Sequence, residues 1–95
     1  MMMPFIDTPI HSNRYVRSFD SSVDDSELQW HRDDEDRTIR VLRSDGWMFQ
    51  FDDEIPFKMV VGQKFKIKKG YWHRVIKGNG SLTLEILKDQ DDSNT

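Results

Sequence analysis

The chain has 95 residues, with 14 Lys or Arg against 17 Asp or Glu, so its formal net charge at pH 7 is -3. This length suits one domain with a modest core, and the lack of a basic surplus argues against a nucleic-acid partner. No cysteine is present, which excludes disulfides, thiolate chemistry and zinc held by cysteine.

The N-terminal residues 1–13 are predicted to form an irregular arm, because they contain Pro4, Pro9 and the polar pair Ser12-Asn13. Two placements are open for this arm: it pairs as an edge strand, or it lies across a partner subunit. The stretch has no basic segment followed by an apolar run, so it does not read as a secretory signal. No segment reaches the apolar length of a membrane span, and we therefore expect a cytoplasmic protein with no membrane partner.

Most of the remaining chain alternates between apolar and polar residues, which predicts short β-strands. A polar loop follows the first strand at residues 20–27, and the polar tail at residues 89–95 is predicted to be frayed. The predicted strands cover residues 14–19, 37–43, 47–51, 57–61, 64–68, 71–76 and 81–88. No window shows apolar residues at helical spacing, so residues 14–88 are predicted to form an all-β barrel or sandwich of antiparallel strands.

Two turns that contain glycine predict tight hairpins. Residues 44–46 read Ser-Asp-Gly, and the Asp-Gly pair favours a two-residue hairpin turn between the strands on either side. Residues 78–80 read Gly-Asn-Gly and are predicted to close a second hairpin into the last strand.

The candidate site residues lie around two of the three histidines, since His11 belongs to the N-terminal arm and is expected at the surface. His31 opens the charged stretch HRDDEDRTIRVL, and His73 lies in the apolar segment YWHRVI. In an extended segment alternate residues share one face, here His31, Asp33, Glu35, Arg37, Ile39 and Val41. Because the last two are apolar and suit the core, His31, Asp33 and Arg37 are expected to point into the same cavity nearer its mouth. Without a bulge, Asp34, Asp36 and Arg40 are expected to point the other way.

His31 and Asp33, completed by His73, make up a two-histidine, one-carboxylate set of ligands. Such a set suits Fe(II), Mn(II), Ni(II) or Zn(II) and leaves positions open for water and a ligand. The set can act only if the fold brings the two histidines face to face. Charged turns at strand entrances are otherwise commonly solvated, and a lone buried histidine is more often a hydrogen-bonded core residue. A metal site and a purely structural cluster are therefore both open.

Gly62, Gly70 and His73 are spaced Gly-x7-Gly-x2-His, with Lys68 and Lys77 at two further positions of interest. This spacing resembles the second motif of the cupins, Gly-x5-Pro-x-Gly-x2-His-x3-Asn. The lysines stand where that motif usually has proline and asparagine.

The first cupin motif, Gly-x5-His-x-His followed by a glutamate and a later glycine, is matched in part. His31 fills its first histidine position and Asp33 its second. Arg37 or Thr38 occupies the glutamate position, and the final glycine falls at residues 44–45, beside Gly46.

The resemblance covers most of the chain and implies a small, single-domain, cupin-like jelly roll. Carried over by position, the implied metal ligands are His31, Asp33, Arg37 and His73. Arginine does not ligate a cation, so the set reduces to His31, Asp33 and His73, with Asp36 as a substitute ligand if the strand entrance is bulged. Arg37 then either pairs with Asp33 or presents its donors to a carboxylate or phosphate on a ligand.

The aromatic residues Trp47, Phe49 and Phe51 alternate along one predicted strand, where they form either the wall of a ligand pocket or simple core. Trp30 and Trp72 are next to the two histidines, so they are expected to point away from the cavity. Exposed tryptophans fit a homodimer, which is the assembly that the cupin resemblance implies.

The leading hypothesis is a protein that binds a divalent metal and a small polar or anionic ligand. If it is an enzyme, the resemblance implies metal-dependent oxygenation or isomerisation. The first alternative is a metal-free binding or assembly module in which Asp33 and Arg37 form a structural pair. The second is a metal-free, epimerase-like cupin in which His31 or His73 acts as a base.

Overall fold

The computed structural model describes residues 4–89 and shows an all-β architecture, as predicted. Its strands are β1 (Phe5–His11), β2 (Arg14–Phe19), β3 (Arg37–Ser44), β4 (Met48–Phe51), β5 (Phe57–Lys58), β6 (Lys64–Ile67), β7 (His73–Ile76) and β8 (Leu82–Lys88). A single 3-10 turn at Asp25–Glu27 interrupts the polar loop after β2. The prediction for the tail applies mainly to residues 90–95, which lie outside the described part of the chain.

Two antiparallel sheets make up the fold. The larger sheet has the strand order β1-β2-β8-β3-β6, and the smaller has the order β5-β4-β7. Period-two alternation places the buried side chains of β8, which are Leu82, Leu84 and Ile86, on one face of the strand. Trp47, just before β4, and Phe49, within β4, belong to the same core, so the two sheets share a single apolar interior.

The predicted hairpins at residues 44–46 and 78–80 are wrong, because β3 and β4 lie in different sheets, as do β7 and β8. The two turns bind each other instead. Asp45 donates its backbone N–H to Ser81, and its side-chain carboxylate accepts the backbone N–H of Ser81 at 2.8 Å. The Trp47 indole Nε1 donates to the carbonyl oxygen of Gly80 at 2.9 Å. These contacts fasten one end of the smaller sheet to the larger.

The structure also changes the limits of three predicted segments. Residues 5–11 of the N-terminal arm form β1, which pairs with β2 as an edge strand, so the first of the two open placements is correct for them. The strand predicted at 57–61 has only two residues, because the chain turns at Val60–Gln63. The strand predicted at 71–76 begins at His73, after a turn in which Tyr71 N–H donates to Lys68.

Within residues 4–89 no helix is both long and apolar enough to cross a membrane.

The close contact between the two turns makes Gly78 a sensitive position. A Cβ there would lie 2.6 Å from the backbone nitrogen of Trp47 and still closer to the carbonyl oxygen of Asp45. We expect Gly78→Ala to lower the free energy of unfolding by about 1–3 kcal/mol, because backbone atoms must move. This cost outweighs the ~0.4–1 kcal/mol that alanine gains by restricting the unfolded chain.

Urea unfolding followed by circular dichroism measures the effect. Asn79→Ala is the matched control, since Asn79 is exposed and its replacement should change stability by no more than ~0.5 kcal/mol. Equal stability of Gly78→Ala and the wild type would show that the turns are not in tight contact.

Candidate metal site

The tripeptide Trp-His-Arg occurs twice, at residues 30–32 and 72–74, and the fold pairs the two copies antiparallel. His31 and His73 lie opposite each other and exchange two backbone hydrogen bonds. The N–H of His31 donates to the carbonyl oxygen of His73 at 3.0 Å, and the N–H of His73 donates to that of His31 at 2.9 Å. Both imidazoles line the same cavity, with ring centroids 4.2 Å apart. The pairing therefore brings two histidines face to face across 42 residues of sequence.

Alternation along the same pair of segments turns the flanking side chains outward. Trp30 and Trp72 are exposed on the opposite face, as expected from the sequence. The Arg74 guanidinium lies 4.7 Å from the Trp30 ring centroid, and the Arg32 guanidinium lies 5.1 Å from that of Trp72. The paired segments thus present both imidazoles to the cavity, with His31 exposed to solvent and His73 buried, and present the cation–π pairs on the opposite face.

Asp33 completes a set of three possible metal ligands with the two histidines. One ligand atom from each of His31, Asp33 and His73 lies within 4.8 Å of the other two. Residues 31–36 are not a continuous strand, because a bend at residues 34–35 precedes β3. Asp33 and Arg37 nevertheless line the same cavity as His31.

The hydrogen bonds of His73 determine which ring nitrogen is available. Nδ1 lies 2.8 Å from the carbonyl oxygen of Tyr71, which can only accept, so Nδ1 carries the proton. In the neutral ring Nε2 then holds a lone pair and faces Asp33 Oδ2 at 3.4 Å. A backbone carbonyl on Nδ1 is the usual arrangement of a metal-binding histidine, because it fixes the ring and directs Nε2 to the ion.

Burial keeps His73 neutral. The side chain is almost completely enclosed, and this desolvation lowers the pKa of His73 below its ordinary value of 6.5. Phe49 stacks on the imidazole with ring centroids 5.5 Å apart and an interplanar angle of 15°. The structure thus places Phe49 where it holds the orientation of His73 and also forms part of the cavity wall.

The side chain of Asp33 is only 7% exposed, and its carboxylate is only partly hydrogen-bonded. Its Oδ1 lies 3.4 Å from Arg37 Nη1, whereas Oδ2 is enclosed and has no hydrogen-bond partner among residues 4–89. An unpaired buried carboxylate oxygen is costly, and the group facing it, Nε2 of neutral His73, is another acceptor. A cation between these two atoms would remove the mismatch.

His31 is the adjustable member of the set. Its side chain is exposed, and its Nδ1 lies 3.3 Å from the carbonyl oxygen of Gln29, a long hydrogen bond. Three ligands on one face of an octahedral ion are about 3 Å apart for bonds of ~2.1 Å. A small rotation of His31 can supply much of the contraction needed, because little holds this ring in place.

Arg37 is held chiefly by Glu35, whose carboxylate accepts from Nε at 2.7 Å. The Asp33–Arg37 pair that the sequence suggested is present but long. Asp36 is not brought to the cluster: its carboxylate accepts the backbone N–H of Lys69 at 2.7 Å, in a neighbouring loop. Asp36 follows the opposite alternation from Arg37, which explains why it does not replace a missing ligand.

The cavity beside this cluster has a volume of about 250 Å³. Its wall is mainly apolar and includes Ile39, Phe49, Ile67, Val75, Leu84 and Ile86. Sequence reasoning did not identify Phe5 and Arg17, which also line it. The signal for Arg17 was its position between Tyr15 and Phe19, on the inward row of β2.

No family model and no curated protein matches the sequence, but solved structures match the fold. A cupin domain from Bordetella pertussis Tohama I has 16% identity and a TM-score of 0.58, with 95% of this chain and 99% of that chain covered. The fold is that of a cupin. The jelly-roll resemblance inferred from the glycine and histidine spacing is thereby confirmed at the level of fold.

Two larger cupin-fold proteins also match. The DMSP lyase DddQ from Ruegeria pomeroyi DSS-3 has 13% identity and a TM-score of 0.67, with 86% of this chain and 40% of that chain covered. HppE in its Fe(II) form has 15% identity and a TM-score of 0.65, with 80% and 41% covered. The chain therefore spans about two fifths of the length of these two proteins.

The lowered pKa of His73 predicts a pH dependence of stability in protein treated with EDTA. The unfolded histidine has its ordinary pKa of 6.5, and the folded one lies below it. Well above pH 6.5 this residue is unprotonated in both the folded and the unfolded state, so it does not make stability depend on pH there. As the pH falls below 6.5 the unfolded state takes up a proton that the folded state excludes, so the free energy of unfolding falls.

Urea unfolding between pH 7.5 and pH 5 measures this slope. We expect His73→Gln to flatten it, whereas His11→Gln, a change at an exposed histidine, should leave it unchanged. Identical slopes for the wild type and His73→Gln would contradict the assignment of a neutral His73.

Proposed function

We propose that the protein binds one divalent transition metal ion through His31, Asp33 and His73, and that a small polar or anionic ligand takes the open positions from the cavity. The observation that carries this proposal is the buried Asp33 Oδ2, which has no partner among residues 4–89 and faces the lone pair of His73 Nε2. The donor set fits Fe(II), Mn(II), Ni(II) or Zn(II).

The surrounding residues orient the atoms that would bind the metal. Tyr71 and Phe49 fix the His73 ring through the Nδ1 hydrogen bond and the stacked contact. Glu35 holds Arg37 at the cavity, where the remaining guanidinium donors can contact an anionic ligand. An ion bound there would act as a Lewis acid on an oxygen of that ligand.

Metal uptake tests the proposal. Protein stripped with EDTA, supplied with Zn(II), Mn(II), Ni(II) or anaerobic Fe(II) and then desalted, should retain about one equivalent of at least one of these by elemental analysis. We expect His31→Ala and Asp33→Asn to weaken binding by ~100-fold or more, because altering even the outer hydrogen-bond partners of metal ligands costs 10–100-fold. Asp36→Asn is the matched control and should bind as the wild type does.

Thermal unfolding gives a second measurement. An ion present at ~100 times its dissociation constant stabilises the folded state by about 2.7 kcal/mol. This gain should be absent in His31→Ala, which changes an exposed side chain and leaves the core intact. A wild type that retains none of the four metals and gains no stability from them would overturn the proposal.

The metal-free alternative, a structural Asp33–Arg37 pair, is less well supported. At 3.4 Å the pair is longer than a charge-assisted hydrogen bond of 2.7–2.9 Å. It also involves only Oδ1, so the other carboxylate oxygen stays buried without a donor.

We also propose that two copies of the chain associate through the face formed by Trp30, Arg32, Trp72 and Arg74. The two tryptophans are 36% and 42% exposed, and neither arginine has a carboxylate within 4.0 Å in the described range 4–89. The acidic turn at residues 52–54 adjoins this face, because Asp52 N–H donates to Trp72. A twofold axis can therefore bring the acidic turn of each copy to the arginines of the other.

Analytical ultracentrifugation at micromolar concentration tests this association. We expect a wild-type dimer and a Trp72→Ser variant with an affinity at least ~30-fold lower, since a central tryptophan commonly contributes 2 kcal/mol or more. Val61→Ser is the control, because Val61 is 67% exposed but lies outside the face. A wild type that sediments as a monomer would contradict the dimer.

A further inference from the structure

Arg17 is a half-buried cation that the metal proposal does not use. Its side chain is 15% exposed and lies on the inner face of β2, where it lines the same cavity as the histidines. Among the described residues that line this cavity, Arg17 and Arg37 are the two cationic side chains. An arginine in a mainly apolar wall needs either a structural partner or a ligand.

The Arg17 guanidinium is held rigidly in place. Nε and Nη2 donate to the two carboxylate oxygens of Asp7 at 2.8 and 2.9 Å. The group lies 3.7 Å from the centroid of the Phe5 ring and 5.4 Å from that of Tyr15. Asp7 and Arg17 are directly opposed in the β1–β2 pairing, so the sheet register itself fixes the position of the guanidinium.

Asp7 leaves part of this group unused. A guanidinium has five N–H donors, of which Asp7 binds one on Nε and one on Nη2. Nη1 donates to no acceptor among residues 4–89. The neighbouring Tyr15 hydroxyl is also buried and without a partner in that range. Burial raises the pKa of Tyr15 above its ordinary value of 10.0, so this hydroxyl keeps its proton at neutral pH, but Tyr15 is not among the residues that line the cavity.

The free Nη1 group of Arg17 is a donor, whereas the cavity wall beside it is aliphatic and aromatic. A ligand that matches both has an acceptor-only head and an apolar body, which describes a carboxylate with a short hydrocarbon chain. The carboxylates of Asp7, Glu27, Asp33 and Glu35 at or beside the cavity already match the summed charge of Arg17, Arg37 and a divalent ion. Each negative charge on the ligand is therefore an excess, which favours a monoanion over a dianion.

We propose that Arg17 is the specificity-determining residue of the cavity and that the ligand is a small monocarboxylate with an apolar body, its carboxylate bound by the free donors of Arg17. This inference rests on the proposed function, because it takes the cavity beside His31, Asp33 and His73 as the ligand site. It differs from it in assigning recognition of the anion to a residue outside the metal set.

Isovalerate and its neutral amide, isovaleramide, are matched probes, since they share the hydrocarbon body and differ in the head group. Titrations followed by NMR chemical shifts give both dissociation constants for the zinc-loaded full-length chain, or for the metal-free chain if it takes up no zinc. We expect the wild type to bind isovalerate at least tenfold more tightly than isovaleramide. Arg17→Met should abolish this preference without changing the zinc content.

Asp7→Asn separates recognition from structure. It removes the ion pair that joins β1 to β2 but keeps the Arg17 guanidinium, so the preference for isovalerate should persist. Arg40→Met controls for the loss of a cross-strand arginine outside the cavity, because Arg40 pairs with Glu85 on the outer face. Arg17→Lys, which keeps the charge but loses the fork, should retain a reduced preference.

Three outcomes overturn the assignment of Arg17: equal or no binding of the two probes by the wild type, a preference that survives in Arg17→Met, or an equal loss in Arg17→Met and Asp7→Asn. A preference that survives in Arg17→Met and needs zinc places the carboxylate on the metal, which supports the proposed function while removing this inference. If the protein takes up no zinc but its preference for isovalerate depends on Arg17, the assignment of Arg17 stands and the proposed metal site fails.

Discussion

The antiparallel pairing of His31 with His73 is the contact on which the rest of the site depends. His31 is an isolated bridge residue between the polar loop and β3, and two backbone hydrogen bonds hold it against the first residue of β7. Each such bond contributes a net ~0.5–1.5 kcal/mol. These two bonds also set the directions of the side chains, because alternation then turns both imidazoles towards the cavity and both tryptophans to the opposite face.

The electrostatics of the site follow from burial at this junction. His73 is enclosed and neutral, and it is oriented by Tyr71 and Phe49, so its free nitrogen is an acceptor. Asp33 brings a second acceptor to the same place, and Arg37 reaches only one of its oxygens. Such a mismatch costs stability unless something positive binds there. Apolar walls on the far side of the cavity strengthen the effect by keeping the local dielectric constant low.

Several strands could be predicted accurately because their signal is local. β2, β3, β6 and β8 agree with their predicted limits to within one residue, since the alternation of apolar residues is read directly along the chain. The two turns failed for the same reason. Asp45-Gly46 and Gly78-Asn79-Gly80 show that the chain reverses there, but the strand to which each segment pairs depends on contacts between the turns. The limits of β5 and β7 depend likewise on turns at Val60–Gln63 and Lys68–Tyr71.

The sequence by itself determined the all-β class and the outward direction of Trp30 and Trp72, because period-two geometry acts over a few residues. That Asp33 and Arg37 line one cavity with His31 despite the bend at residues 34–35 was decided by the tertiary structure. Only the tertiary structure decided that His73 meets His31, that Asp36 turns to Lys69, and that Arg17 lines the same cavity. These juxtapositions join β-segments far apart in the chain. Sheet order and register set them, and neither is encoded in any single stretch of residues.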